Sequence, residues 1–294
     1  EFIHEKKNQP WFFSFNCFAP HHPFDPPADF LEKYNPDDMP LPKAKPNELE
    51  SKTTYQKLDA QFAHNDPNSY DIKEMTDRDK REITAAYYAM IELIDKQVGR
   101  MINALKETEQ LENTIIIFMS DHGEMLGDHG FYLKGPHFYD EAVRVPLIFS
   151  CKDLIKTNLR ANCLVELIDI APTLLDAAGL DIPNYIQGKS LLPILNGKKT
   201  ADHHRDYVFS EYYNSWTHKH AYGSMLRTVN EKIIVYHGTN QGELYNLKCD
   251  PNEYENLWDD PSHTNNKLRL MKTCFDASAV SYKQITIPTK HKFK

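Results

Sequence analysis

Short apolar runs and long stretches of helical spacing follow one another along the chain, and the two periods separate its elements. Residues 11–15 (WFFSF), 114–119 (TIIIFM) and 145–150 (VPLIFS) are nearly continuous in aromatic, β-branched and aliphatic side chains. Such runs predict strands, and the absence of polar alternation in 114–119 predicts a parallel strand covered on both faces. Between the first two runs, Ile83, Tyr87, Ile91, Ile94, Val98, Met101 and Leu105 keep a 3.6-residue spacing, which predicts one long helix over residues 78–107. Thr76 and Asp79 supply its start signal. Strand, helix, strand in this order is a βαβ unit with a right-handed crossover. A further helix is predicted from Asp169, an N-cap residue, through Pro172 in the first turn to a stop at Gly179. Residues 20–75 are rich in Pro, Asp, Asn and Lys with little periodicity, the mark of a long irregular segment that shapes a site or lacks fixed structure.

The pattern changes near residues 197–202 (GKKTAD). Beyond them, residues 207–212, 224–229, 233–236 and 243–246 read as antiparallel strands, with Gly238 and Gly242 in one of the turns. Residues 263–280 predict a helix over one face of that sheet. The expected fold class is α/β: residues 1–200 form a mostly parallel sheet flanked by helices, and residues 201–294 a smaller antiparallel α+β domain.

Composition narrows the function classes. The net charge is −8, and the basic residues cluster only in the tail 283–294, so a nucleic-acid partner is not expected. An anionic substrate would need a local positive site. No apolar run approaches the roughly 20 residues that span a bilayer. Cys17, Cys151, Cys163, Cys249 and Cys274 are odd in number and form no C-x-x-C pair, so they read as buried free thiols rather than a zinc or disulfide framework. The chain opens on Glu1-Phe2-Ile3-His4 without Met or a signal-peptide pattern, and Phe2 and Ile3 followed by Glu5, Lys6 and Lys7 look like the end of an amphipathic helix, so the chain is expected to be a C-terminal portion of a longer protein.

Polar residues of catalytic type follow the predicted strands. Residues 11–15 run into Asn16-Cys17-Phe18-Ala19-Pro20-His21-His22-Pro23, and 114–119 run into Ser120-Asp121-His122-Gly123. Ligands of open α/β sheets sit outside the carboxyl ends of parallel strands, so these clusters are expected to converge on one crevice. Asp121 and His122 side by side can ligate one divalent cation, and Gly123 lets the backbone turn closely there. Taken alone, the tripeptide also fits a strand-end turn with a capping Asp.

The longer stretch SDHGEMLGDHGFYLKGPHFYDEAVRVPLIF resembles the sulfatase family of the alkaline phosphatase superfamily. The family pattern of Asp-His-Gly, Gly-x-His-Gly, Lys-Gly and Tyr-x-Glu-x-x-Arg-x-Pro-Leu falls on Asp121, His122, Gly123, Gly127, His129, Gly130, Lys134, Gly135, Tyr139, Glu141, Arg144, Pro146 and Leu147. WFFSFNCFAPHHPFDPP is similar to the segment carrying the family's active-site His, here His21, and VELIDIAPTLLDAAGL, GKSLLPIL and GELYNLKCDPNEYENLWDDP are similar to its later portion. The resemblance implies an alkaline-phosphatase-like fold and hydrolysis of a sulfate ester. It makes Asp121 and His122 ligands of one cation, Ca²⁺ or else Mn²⁺ or Mg²⁺, and sets His21 and Lys134 against sulfate oxygens. It further implies a sulfated small molecule or glycan as partner and a periplasmic, secreted or lysosomal setting. Lys134 by sequence alone could be a solvated surface amine, and His22 and His129 read as structural.

One family element is missing. The nucleophile, a formylglycine made from the first residue of C-x-P-x-R or S-x-P-x-R, has no counterpart, because Cys17-Phe18-Ala19-Pro20-His21 lacks both the proline spacing and the Arg. The first-strand Asp ligands have none either. Two other readings stay open at this point: a phosphonate or phosphate ester hydrolase of the same superfamily, and a non-catalytic binding module.

Overall fold

The computed structural model of the chain describes residues 1–65, 72, 74–213 and 221–281. The basic tail 283–294 and residues 214–220 lie outside the described residues. The helices are α1 (Phe2–Glu5), α2 (Ala28–Leu31), α3 (Thr54–Asn65), α4 (Asp77–Glu107), α5 (Asp140–Val143), α6 (Ile170–Ala177), α7 (Leu192–Leu195) and α8 (Thr264–Ser281). The strands are β1 (Ile116–Met119), β2 (Leu147–Ser150), β3 (Val208–Tyr213), β4 (Tyr222–Arg227), β5 (Glu231–Tyr236) and β6 (Gly242–Asn246). The chain divides into two compact units, Glu1–Asp153 and a second that begins at Leu154. The composition shift near residue 200 falls inside the second unit.

In the first unit, α4 forms as its stripe predicts. Its N-terminus is closed by a reciprocal box, the Thr76 hydroxyl accepting from the Asp79 N–H while the Asp79 carboxylate takes the Thr76 N–H, which satisfies two otherwise orphaned donors. The buried face runs through Ile83, Ala86 and Met90 with Ala85 and Ala89, whereas Ile91 of the predicted stripe is exposed. The strand expected over residues 11–15 has no ladder, and Phe12, Phe13 and Phe15 are exposed. An apolar run becomes a strand only where a neighbour takes its N–H and C=O groups. This segment is tied instead by side chains: the Trp11 indole donates to Gln110 at 2.9 Å, and Phe13 stacks on Phe2.

β1 and β2 pair antiparallel, Ile116 opposite Ser150 and Met119 opposite Leu147, so the mostly parallel sheet is here one antiparallel pair. Apolar composition does not set strand direction. Phe118, Met119 and Ile148 are left exposed, unlike the fully covered strands expected. β2 starts after Pro146, which has no N–H to give to a ladder. The stretch expected to be irregular contains α3. All five cysteines are free thiols, but only Cys274 is buried; Cys17 and Cys249 are exposed.

The second unit contains the antiparallel sheet in the order β3-β4-β5-β6. Ile233 and Val235 of β5 pack with Leu226, Leu244 and Trp258 against Leu270, Cys274 and Ala277 of α8. The alternate residues Lys232, Ile234 and Tyr236 are also buried, so this strand is covered on both faces. On that side the Tyr236 and Tyr245 hydroxyls donate to the two oxygens of Glu243, and Lys232 is paired with Glu253 at 2.6 Å.

A buried ionic cluster closes the first unit. Glu48 lies 2.6 Å from His129 Nδ1 and 2.7 Å from Lys52 Nζ, and the His129 ring stacks on Tyr139 at 3.9 Å. Burial alone would raise the Glu48 pKa, but hydrogen bonds from His129, the Lys45 N–H and Lys52 outweigh it and hold the carboxyl at about 2. Because that is below the ordinary 4.5, the stabilisation is present in full above 4.5 and is lost as pH falls from there towards 2. The linked stability is roughly 3 kcal/mol. Urea unfolding between those pH values should therefore show a steep acid loss in the parent and a flatter one in Glu48→Gln; equal slopes would assign the acid loss to other carboxylates.

Candidate active site

His21 sits on a turn closed by the His21 N–H donating to the Phe18 carbonyl at 3.0 Å, between two cis X–Pro bonds, Ala19–Pro20 and His22–Pro23. Its ring packs between Phe18 and His22. Nδ1 lies 2.7 Å from the His22 carbonyl, so the network assigns the proton to Nδ1 and a lone pair to Nε2. Lys134 Nζ donates to that Nε2.

Lys134 follows Leu133, which holds a left-handed backbone at φ 66°. Glu124 fixes this bend by accepting the N–H groups of Leu126 and Leu133. Burial lowers the Lys134 pKa from its ordinary value, opposed by the charges of Glu124 and Asp121. Burial raises that of Glu124, opposed by the two backbone N–H groups and by Lys134 and His122. Lys134 nevertheless remains an exposed residue, so its charge is presented to an anion at the surface of the cluster.

Asp121 and His122 stand at the carboxyl end of β1. The Asp121 carboxylate is exposed and accepts the His122 N–H at 3.0 Å. His122 Nδ1 lies 2.8 Å from the Gly123 carbonyl, which directs its proton there and leaves Nε2 as a lone-pair donor, 4.0 Å from Asp121 Oδ2. The His122 and His21 ring centroids are 6.1 Å apart. Gly123 is required for this turn: its N–H donates to the Ala142 carbonyl at 2.8 Å, and a Cβ in its place would sit 1.8 Å from the Glu141 carbonyl oxygen.

His21, Asp121, His122 and Lys134 are therefore gathered in one place, as the sequence reading expects, although only Asp121 and His122 end a strand. Of the candidate metal donors, Asp121 Oδ2 and His122 Nε2 lie 4.0 Å apart; no cluster of three or more His, Cys, Asp or Glu with metal-holding geometry occurs among the described residues. Beside His21 opens a cleft of about 350 Å³ lined by Phe18, Pro23, Pro27, Met90 and Leu93. His129 lies outside this cluster, in the buried group around Glu48. Sequence reasoning missed Glu124, whose only signal is its place between the Asp-His pair and Lys134, and missed Glu48 and Lys52 because nothing in their segment distinguishes them from solvated charges.

The family model described as Sulfatase matches residues 1–180, and the one described as N-sulphoglucosamine sulphohydrolase, C-terminal, matches residues 127–279. The chain is 36% identical over 191 residues to an N-acetylglucosamine-6-O-sulfatase of Bacteroides thetaiotaomicron, covering 63% of this chain and 34% of the relative. It is 32% identical over 258 residues to an arylsulfatase of Clostridium perfringens, covering 85% of this chain and 50% of the relative. Thus it spans between a third and a half of the length of these curated relatives. Among solved structures, it is similar to a phosphonate monoester hydrolase from Silicibacter pomeroyi, with a TM-score of 0.84 at 27% identity, covering 94% of this chain and 57% of the other.

Proposed function

The chain belongs to the sulfatase family, and from that premise we propose that it carries the anion-binding and acid half of a sulfuric ester hydrolase site. The observation that supports this most is the Lys134 ammonium seated on His21 Nε2, with Asp121 and His122 alongside. A sulfo group entering here would take the Lys134 N–H onto a non-bridging oxygen, where a fixed cation stabilises the charge that shifts in the transition state. His21, once protonated on Nε2, is suited to give that proton to the leaving alcohol. Its Nδ1 contact to the His22 carbonyl keeps the ring turned to do so.

A divalent cation, by preference Ca²⁺ with Mn²⁺ or Mg²⁺ as substitutes, would be held by Asp121 and His122 and would supply positive charge to the sulfate oxygens. Attack at sulfur belongs to a formylglycine from a C-x-P-x-R or S-x-P-x-R segment, which these 294 residues do not contain. The substrate is a sulfated small molecule or glycan. A second reading, phosphonate or phosphate ester hydrolysis, is favoured by the likeness to the phosphonate monoester hydrolase, and Lys134 suits either tetrahedral anion.

The test is Lys134→Ala in a protein that joins this chain to a nucleophile-bearing segment, assayed on p-nitrophenyl sulfate and on a phenylphosphonate monoester. Loss of a preorganised charge should lower kcat/KM by on the order of 10² to 10³. Equal kcat/KM with an equal Tm would remove Lys134 from the site, and the preferred ester decides between the two readings.

A further inference from the structure

One carboxylate holds the loop that presents Lys134. Residues 125–133 fold back on themselves, the Met125 N–H donating to the Leu133 carbonyl at 3.0 Å and the Gly127 N–H to the Phe131 carbonyl at 2.7 Å. Near the two ends of this loop Leu126 and Leu133 take the left-handed backbone, at φ 48° and 66°, a conformation that leucine seldom adopts. Both of their N–H groups donate to the same oxygen, Glu124 Oε1. Strained residues of this kind persist only where their surroundings fix them, and here a single acceptor fixes two. The nearby Tyr132 hydroxyl is buried without a hydrogen-bond partner among the described residues, so the backbone N–H groups and not this phenol hold the carboxylate.

Lys134 comes next after Leu133, so the bend at Leu133 decides where its side chain starts. Its ammonium donates to His21 Nε2 on a separate turn of the chain. A lysine is a point charge on a flexible four-carbon stem, and Lys134 is exposed; its aim onto His21 therefore depends on the backbone that carries it. The charge of Glu124 reaches the same place. It opposes the burial that lowers the Lys134 pKa, and Lys134 and His122 in turn oppose the burial that raises that of Glu124.

We propose that Glu124 is the positioning residue for Lys134: by accepting from Leu126 and Leu133 through one oxygen, it sets the loop that carries the ammonium to His21 Nε2. This role rests on the reading of His21 and Lys134 as the acid and anion-binding groups of a sulfuric ester hydrolase. Glu124 acts through Lys134 and touches no reacting atom.

The imidazole nitrogen signals of the full chain in NMR give the first test. In Glu124→Ala the His21 signals should move to where they lie in Lys134→Ala, because both variants lose the same contact. The Trp11 indole signal, which reports the Gln110 bond elsewhere in the first unit, should stay as in the parent. Glu124→Gln keeps an Oε1 acceptor for both leucine N–H groups and should return the His21 signals towards the parent. The second test is kcat/KM in the protein joined to a nucleophile-bearing segment. Glu124→Ala should lower it about a hundredfold, the cost of misplacing a reacting group by about 1 Å, Glu124→Gln should recover most of that loss, and Glu124→Ala should add little in a Lys134→Ala background. His21 signals unmoved by Glu124→Ala, a Trp11 signal lost along with them, or a full further loss on top of Lys134→Ala overturns the proposal. A Lys134→Ala variant that keeps its full kcat/KM would instead remove the hydrolase reading, and the His21 signals would still decide whether Glu124 places Lys134.

Discussion

Purified alone and given an aryl sulfate with Ca²⁺ or Mn²⁺, the 294-residue chain should show no appreciable turnover. Losing a nucleophile costs on the order of 10⁶ in kcat, and no C-x-P-x-R or S-x-P-x-R segment occurs in this sequence. Metal affinity should be weak for a separate reason. Ca²⁺ takes about 6 to 8 oxygen-type ligands, and the candidate site brings together only Asp121 and His122. Calorimetric titration of the metal beside the activity assay separates the two deficits. Robust metal-dependent turnover would mean that a residue of this chain attacks sulfur, and the first suspect would be Cys17, an exposed thiol four positions before His21.

Changing Lys232 to Met should destabilise the second unit by about 3 to 5 kcal/mol, the range for leaving one member of a buried ion pair without its partner. Lys232 is wholly buried on β5 and its ammonium sits 2.6 Å from Glu253. The cost comes from the stranded Glu253 charge rather than from the attraction lost. Lys232→Met/Glu253→Leu should therefore recover most of the stability, since removing both charges also removes both desolvation terms. Urea midpoints of the single and double variants measure this, and a single variant within about 1 kcal/mol of the parent would show that water reaches the pair.

The helix α4 and the sheet of the second unit were legible because their patterns are local. A 3.6-residue stripe with a Thr76–Asp79 start, or short alternating runs joined by turns, needs no distant partner to be read. The strand expected over residues 11–15 failed because pairing is not local: its apolar side chains announce burial, but nothing in them names the neighbour that would take its hydrogen bonds. The antiparallel sense of β1 and β2 was hidden for the same reason. α3 was missed because its face is mostly polar and its segment sits among prolines. At the candidate site, Asp121 and His122 stood out as an acid–imidazole pair at a strand end, and His21 and Lys134 could be named only through the resemblance to the sulfatase family, whereas Glu124 and the Glu48–Lys52 pair could not be named at all, since burial of a charge is decided by folding and not by residue type. His129, read as structural, is buried in the ionic cluster with Glu48. The cysteines show the opposite error, as free thiols were expected to hide and two lie at the surface.

The short β1–β2 ladder also sets a practical limit on how concentrated this chain can be. Phe12, Phe13, Phe15 and Phe18 line one exposed stretch, and Phe118, Met119 and Ile148 are open on the two strands. Self-association through such surfaces is at least second order in protein, so its rate grows with the square of concentration while folding does not change. Dilute preparations should stay monodisperse long after concentrated ones have clouded, and a charged residue placed at Phe12 or Ile148 should raise the threshold without touching the residues around His21 and Lys134.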